Sequence, residues 1–271
     1  MRLMHKSMRA SIALSFLASC LQPACAFYAE TREPHNQAVE NLMSKGAYCE
    51  QRDNIALAEK YYKLAEATCK ALKGNNQDQM ADIYALLENV YRKKHKLDQA
   101  IDYAKKVVEI DKSIYGEEHV FVAESLRTLG DLESQAKKYD EARKSYAQAI
   151  EVANKSTAKG YRWSIDATHA NVLKKMNLIV ACYDSYCRTF EAEDDTQSAD
   201  DAYKSSIDKC GKTRDKEISA KDLQIAMFDR YRDYLARTKR DIAKDQVDQE
   251  FAEVARKDAA NREYKPNALP K

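Results

Sequence analysis

A period of 42 residues runs through the middle of this chain. Gly46, Ala58, Tyr62 and Ala65 return as Glu88, Ala100, Ala104 and Val107, and again as Gly130, Ala142, Tyr146 and Ala149. Small residues recur where two helices must touch, and large ones mostly where space between pairs must be filled. A fixed period of this length marks a solenoid, whose units each bury an apolar face against the next. That constraint favours a chain that works by presenting a surface.

The third copy carries the pattern most fully. Leu126, Leu129 and Gly130 lie on one predicted helix, Tyr139 follows at the turn, and Ala142, Tyr146 and Ala149 lie on the next. Gly130 and Ala142 let the two helices approach while Tyr146 wedges into the neighbouring pair. The second copy supplies Tyr84, Leu87, Tyr91, Leu97 and Ala100 at the same places; the first supplies Leu42, Gly46, Ala58, Tyr62 and Ala65. The spacing resembles that of the tetratricopeptide family. Its 42-residue length, and the linker Tyr115-Gly116-Glu117-Glu118-His119-Val120-Phe121-Val122-Ala123, resemble the kinesin-light-chain-like branch. Three departures stand out: Val120 replaces the proline usual after the histidine, Glu88 a small residue, and Ala104 an aromatic, with Tyr103 one position early.

The resemblance implies an all-α, right-handed superhelical solenoid of antiparallel helix pairs. Three repeats span 37–156, preceded by a linker over 27–36. A long helix and a divergent fourth pair over 157–215 follow, then capping helices over 216–262 and a tail over 263–271. Residues 164–191 read as the long helix, Thr196 or Ser198 as the cap of the next, and Ala199, Tyr203 and Ile207 repeat the second-helix spacing. Leu223, Met227, Tyr231, Tyr234 and Leu235 form a stripe over 218–240. It reads as a capping face, with a membrane-surface or partner-docking helix as the alternative.

The resemblance also implies that the first helix of each pair lines a concave groove. Transferred position by position, the groove takes Glu40, Met43, Ala47 and Glu50, then Asp82, Ala85, Asn89 and Arg92, then Glu124, Arg127, Asp131 and Ser134. Asp82, Asn89, Arg92, Glu124, Arg127 and Asp131 are its candidate peptide-binding residues. Asparagine can hold a peptide backbone as donor and acceptor together, and arginine can grip a carboxylate in two places. Met43 and Ala47 stand where a carboxylate-clamping groove would carry its Lys/Asn cluster.

Residues 1–26 have the anatomy of an export signal: basic Arg2, Lys6 and Arg9, then a short apolar core from Ala10 to Ala18. That core is too short to span a bilayer. Two processing routes compete. Ala24-Cys25-Ala26 would release a chain beginning at Phe27, whereas Leu17-Ala18-Ser19-Cys20 resembles a lipoprotein box that would lipidate Cys20. Release is favoured because no Gly/Ser tether follows Cys20. The expected location is periplasmic or secreted, or a membrane-anchored lipoprotein if Cys20 is modified. After release five cysteines remain. Cys182 or Cys187 would pair with Cys210 if the following helix folds back, and the odd count leaves at least one thiol or an intermolecular bridge.

Chemistry is sparse. The sequence holds no HExxH, Gly-rich phosphate loop, GxSxG or CxxC, and its five histidines are scattered. The formal net charge is +2, and the three cations of residues 1–26 account for more than that excess, leaving −1. Interspersed charges of this kind leave no footprint for nucleic acid. The reading is a non-enzymatic exported adaptor without cofactor or metal, holding a protein or peptide segment in its groove. The alternative is a structural envelope component that self-associates through its repeats or C-terminal helix. A small-ligand site near Trp163 and His169 trails both.

Overall fold

In the computed structural model the described residues are 36–72, 76–156, 168–215 and 217–263. The export segment with Cys20 and Ala26, the linker over 27–35, Trp163 and the tail from residue 264 lie outside them, as does the side chain of His169. Ten helices and no strand occur among the described residues: α1 (Gln37–Gln51), α2 (Ile55–Ala71), α3 (Gln77–Lys93), α4 (Leu97–Tyr115), α5 (Val120–Gln135), α6 (Tyr139–Lys155), α7 (Thr168–Ala192), α8 (Thr196–Gly211), α9 (Ala220–Arg237) and α10 (Asp241–Glu263). Two compact units divide within α3, one ending at Leu87 and the other beginning at Glu88.

Five tight turns join the helices into hairpins. Asp53, His95, Lys137, Asp194 and Lys239 all have positive φ, between 55° and 59°. The residue after each donates its N–H five residues back: Asn54 to Cys49, Lys96 to Tyr91, Lys138 to Glu133, Asp195 to Phe190 and Arg240 to Leu235, at 2.8–3.1 Å. This left-handed C-terminal cap satisfies carbonyls that a helix end otherwise orphans. None of the five residues is glycine, so each turn carries strain on the order of 1 kcal/mol. The same turn between α9 and α10 makes a fifth hairpin.

Within the first unit, α1 and α2 close on each other through Gly46. A Cβ there would meet Tyr62 Cε1 at 2.3 Å. The Tyr62 hydroxyl donates to Glu50 at 3.0 Å, and its side chain is fully buried. Asn36 caps α1 by accepting from Ala38 N–H, and its own N–H donates to Gln79 Oε1 at 3.3 Å.

The second unit repeats the device. A Cβ at Gly130 would meet Tyr146 Cε1 at 2.7 Å, and the Tyr146 hydroxyl donates to Asp131 at 2.8 Å. In the fourth pair Cys187 stands sixteen residues before Tyr203, the same separation. The Tyr203 hydroxyl donates to Glu191 at 2.8 Å and Asp184 at 3.2 Å. The cap of α8 is Asp195, accepting from Ser198 N–H, so Thr196 is the first helical residue and neither it nor Ser198 is the cap. An aspartate carboxylate caps as well as a hydroxyl does and adds favourable charge at the helix start.

The stripe on α9 is spent inside the fold. Leu223, Met227, Tyr231, Tyr234 and Leu235 are all buried, and Tyr203 of α8 stacks on Tyr231 and Tyr234 with ring centroids 5.2 Å apart in each case. That burial leaves no apolar face on α9 for a membrane. Arg240 fixes the α9–α10 turn to α8 through a two-pronged pair with Asp200, at 2.7 and 2.5 Å. Lys175 of α7 is only 1% exposed; its ammonium donates to the Ser156 carbonyl at 2.6 Å and to Asp215 at 2.5 Å, with Glu217 at 3.7 Å. Asp215 in turn accepts from the N–H groups of Glu217 and Ile218. Burial opposes its charge, but Lys175 and those two donors outweigh it and hold the carboxyl below its usual range.

Candidate interaction surface

The candidate groove residues fall on α3 and α5, and the structure treats them unequally. Asp82, in the first unit, is 6% exposed and therefore not open to a ligand. In the second unit, Arg92 donates to Asn89 Oδ1 at 2.7 Å, and its Nε stands 3.5 Å from Glu88. The two expected donors of copy two thus already hold each other, in a contact a ligand carboxylate could displace. Burial pushes the Glu88 carboxyl up to about 7, with Arg92 pulling the other way.

On α5 the cluster is Glu124, Arg127 and Asp131. Asp131 takes the Tyr146 hydroxyl and, at 3.4 Å, the hydroxyl of Ser185 on α7. Its other oxygen lies 3.6 Å from Arg127 Nη2. Asp131 is therefore committed to packing the hairpin. Arg127 is the open member: its side chain is 39% exposed, and its buried Nε finds no partner among the described residues. A buried donor without a partner costs on the order of 1–3 kcal/mol; the exposed part of the same side chain is what a ligand could reach. A carboxylate or peptide carbonyl is the group that suits it.

The cysteines do not make the bridge that their count suggested. Cys182, Cys187 and Cys210 are free and fully buried. Burial pushes each thiol up to about 12, so none is a ready nucleophile. Cys187 fills the small-residue slot before Tyr203, and its sulfur lies 3.7 Å from Ser206 Oγ. Packing, rather than cross-linking, accounts for these positions.

Other candidates for chemistry are likewise absorbed by the fold. His119 caps α5 through Nδ1, accepting from Phe121 N–H, and its ring stacks on Tyr115. Burial lowers its pKa, which keeps it neutral as an acceptor. Asp194 occupies a turn, Asp195 caps a helix and Asp200 pairs with Arg240. Among the described residues no group of three or more side chains could hold a metal ion, and no helix is long and apolar enough to cross a membrane.

A cleft of about 400 Å³ that the sequence reading missed lies between α6, α7 and α8, lined by Ile150, Tyr183, Tyr186, Phe190, Asp201 and Lys209 among others. Arg143 lies over the Phe190 ring, 4.5 Å from the centroid. The missed signal was the spacing of Tyr183, Tyr186 and Phe190 on one side of α7.

A family model for the tetratricopeptide repeat matches residues 37–113 and 89–155. Among curated proteins none matches. Among solved structures, BtubC (BKLC) from P. vanneervenii is similar at 17% identity, with 86% of this chain and 84% of that one covered and a TM-score of 0.52. A protein from Podosopora anserina described as kinesin-light-chain-like, with nearly identical TPR-like repeats, is similar at 13% identity. There 83% of this chain and 98% of that one are covered, with a TM-score of 0.52. At these identities the likeness is one of fold: a solenoid of paired helices.

Proposed function

We propose that this chain, whose residues 37–155 match the tetratricopeptide repeat, generally a scaffold for protein–protein interaction, is an exported, non-catalytic adaptor. It holds a segment of another protein along the face formed by Asn89, Arg92, Glu124 and Arg127. The observation that carries the reading is Arg127, whose side chain is part-exposed on this face and whose buried Nε finds no acceptor among the described residues. An extended peptide would offer it a side-chain carboxylate or a backbone carbonyl. The Arg92–Asn89 contact would open to hold the peptide backbone. Export rests on the order of charge, apolar run and cleavage site in residues 1–26.

The test pairs the full chain with its Arg92→Glu/Arg127→Glu form, both immobilised and exposed to an extract of the exported compartment. A discrete protein retained by the first and lost by the second, with binding weakened by salt, is the expected result. Equal capture by both forms would refute the groove. Mass measurement of the mature chain after expression with its own leader settles processing: a terminus at Phe27 supports release, a lipid-bearing Cys20 supports anchoring, and an intact Met1 refutes export.

A further inference from the structure

The cleft between α6, α7 and α8 is open because small side chains face it from both flanking helices. Ser198, Ala202 and Ser205 line it from α8 and Ala147 from α6. Aligning Tyr203 with Tyr146 sets Glu141, Ser145 and Gln148 at the three α8 places in copy three. The space of about 400 Å³ is large enough for a small molecule. Helix α7 makes its wall aromatic, with Tyr183, Tyr186 and Phe190 on one side; the last two rings meet edge to face at 5.6 Å.

Tyr183 is the residue that packing leaves unexplained. The buried tyrosines of the second helices find carboxylates: Tyr62 reaches Glu50, Tyr146 reaches Asp131 and Tyr203 reaches Glu191. Tyr183 lines the cleft and is only 7% exposed, yet its hydroxyl has no hydrogen-bond partner among the described residues. Burial pushes its pKa up, and the thiols of Cys210, Cys187 and Cys182 add to the effect, so the group stays protonated as a donor. The nearness of Cys210 sets Tyr183 level with Lys209, the residue before it on α8. Lys209 also lines the cleft, is exposed, and has no partner for its ammonium among the described residues.

The remaining charges around the cleft are already engaged. Asp201 accepts from the Gln197 amide with both oxygens at 3.2 Å. Arg143 is held by Asp140 at 2.6 Å and Glu193 at 2.5 Å. One end of the cleft thus offers two donors without an acceptor, and the rest offers rings and Ile150. That asymmetry suits an anionic head on a flat apolar body. We propose that the cleft is a binding site for a small aromatic carboxylate. The ring lies against Tyr186 and Ile150, and the carboxylate accepts from the Tyr183 hydroxyl and the Lys209 ammonium. The site is separate from the groove on α3 and α5.

The test titrates the full chain calorimetrically with cinnamate and with cinnamamide, its uncharged twin. Cinnamate should bind with a Kd below about 1 mM and at least about tenfold tighter than the amide. Lys209→Gln should remove that preference. Tyr183→Phe should weaken cinnamate about fivefold or more while the melting temperature holds or rises, because a hydroxyl without a partner gives the fold nothing to lose. Ser205→Leu, which fills the cleft from an exposed position, should abolish binding of both compounds, and Arg92→Glu in the groove should leave it intact. The proposal is overturned if cinnamate fails to bind the unaltered chain or binds no tighter than cinnamamide. Full affinity in Ser205→Leu, or loss of binding in Arg92→Glu, would place any bound carboxylate elsewhere and overturn it as well.

Discussion

Copies two and three solve one packing position in opposite ways. In copy three a glycine leaves room for a tyrosine ring sixteen residues later, and the ring's hydroxyl reaches a carboxylate. In copy two the glycine has become Glu88 and the tyrosine Ala104, so bulk and carboxylate have moved to the first helix together. Ala104 is 4% exposed and the Glu88 side chain 12%. Tyr103, one position early, stacks on Tyr91 at 5.5 Å instead. The two residues vary as a pair because close packing leaves no room for both large partners and no filler for two small ones. What the repeat preserves is a volume and a nearby carboxylate, rather than residue identities.

The sharpest way to break this comparison is Gly130→Glu, which sets copy two's residue against copy three's tyrosine. The Cβ alone falls inside the ring, so a loss of about 3 kcal/mol or more is expected in urea unfolding. Adding Tyr146→Ala should return much of it. If Gly130→Glu alone is neutral, the exchange is not a coupled one.

Next comes the reverse swap. Ala104→Tyr with Glu88 in place should cost about 1–3 kcal/mol, and Glu88→Gly added to it should recover most of that, giving a coupling that a double-mutant cycle reads directly. Strict additivity of the two changes would show that positions 88 and 104 do not share space.

A smaller effect separates the copies by pH. Glu88 holds its proton to about 7 in the fold, against an ordinary value of 4.5. The unfolded chain gives up that proton first, so stability is greatest below pH 4.5, declines as pH rises toward 7, and is level above it. The decline attributable to this one group is at most about 3 kcal/mol. Melting curves from pH 4.5 to 8 should show the slope in the unaltered chain and a flatter profile in Glu88→Gln. An unchanged slope would place the titration elsewhere.

Much of the scaffold is legible in the sequence because it rests on local spacing. Gly46 with Tyr62, Gly130 with Tyr146, and the α9 stripe announce their packing by period alone. The hairpin turns do not: Asp53, His95 and Lys137 recur at the same 42-residue spacing, yet only the backbone shows that each adopts a left-handed conformation. Nothing in a lysine or histidine signals that geometry. Lys175 is equally silent, since a lysine among apolar residues on α7 reads as solvated, and its partners lie 19, 40 and 42 residues away. Of the candidate groove, Arg127 is assigned by repeat position alone, whereas the commitment of Asp131 to Tyr146 and Ser185 is visible only in three dimensions. The cysteines misled because an odd count invites pairing, while their burial beside tyrosines makes them fillers.

The Lys175 junction also bears on how such a chain can change length. Repeat arrays ordinarily gain or lose units freely, because each unit answers only to its neighbours. Here one ammonium on α7 is neutralised by Asp215 in the loop that follows α8, and it also donates to the carbonyl of Ser156, the residue capping the end of α6. Deleting or duplicating the α7–α8 pair would strand a charge in the interior, a fault that typically costs about 3–5 kcal/mol. The front of the array retains the modular freedom of its kind. The back is tied together across α6, α7 and the loop after α8 by that one charge.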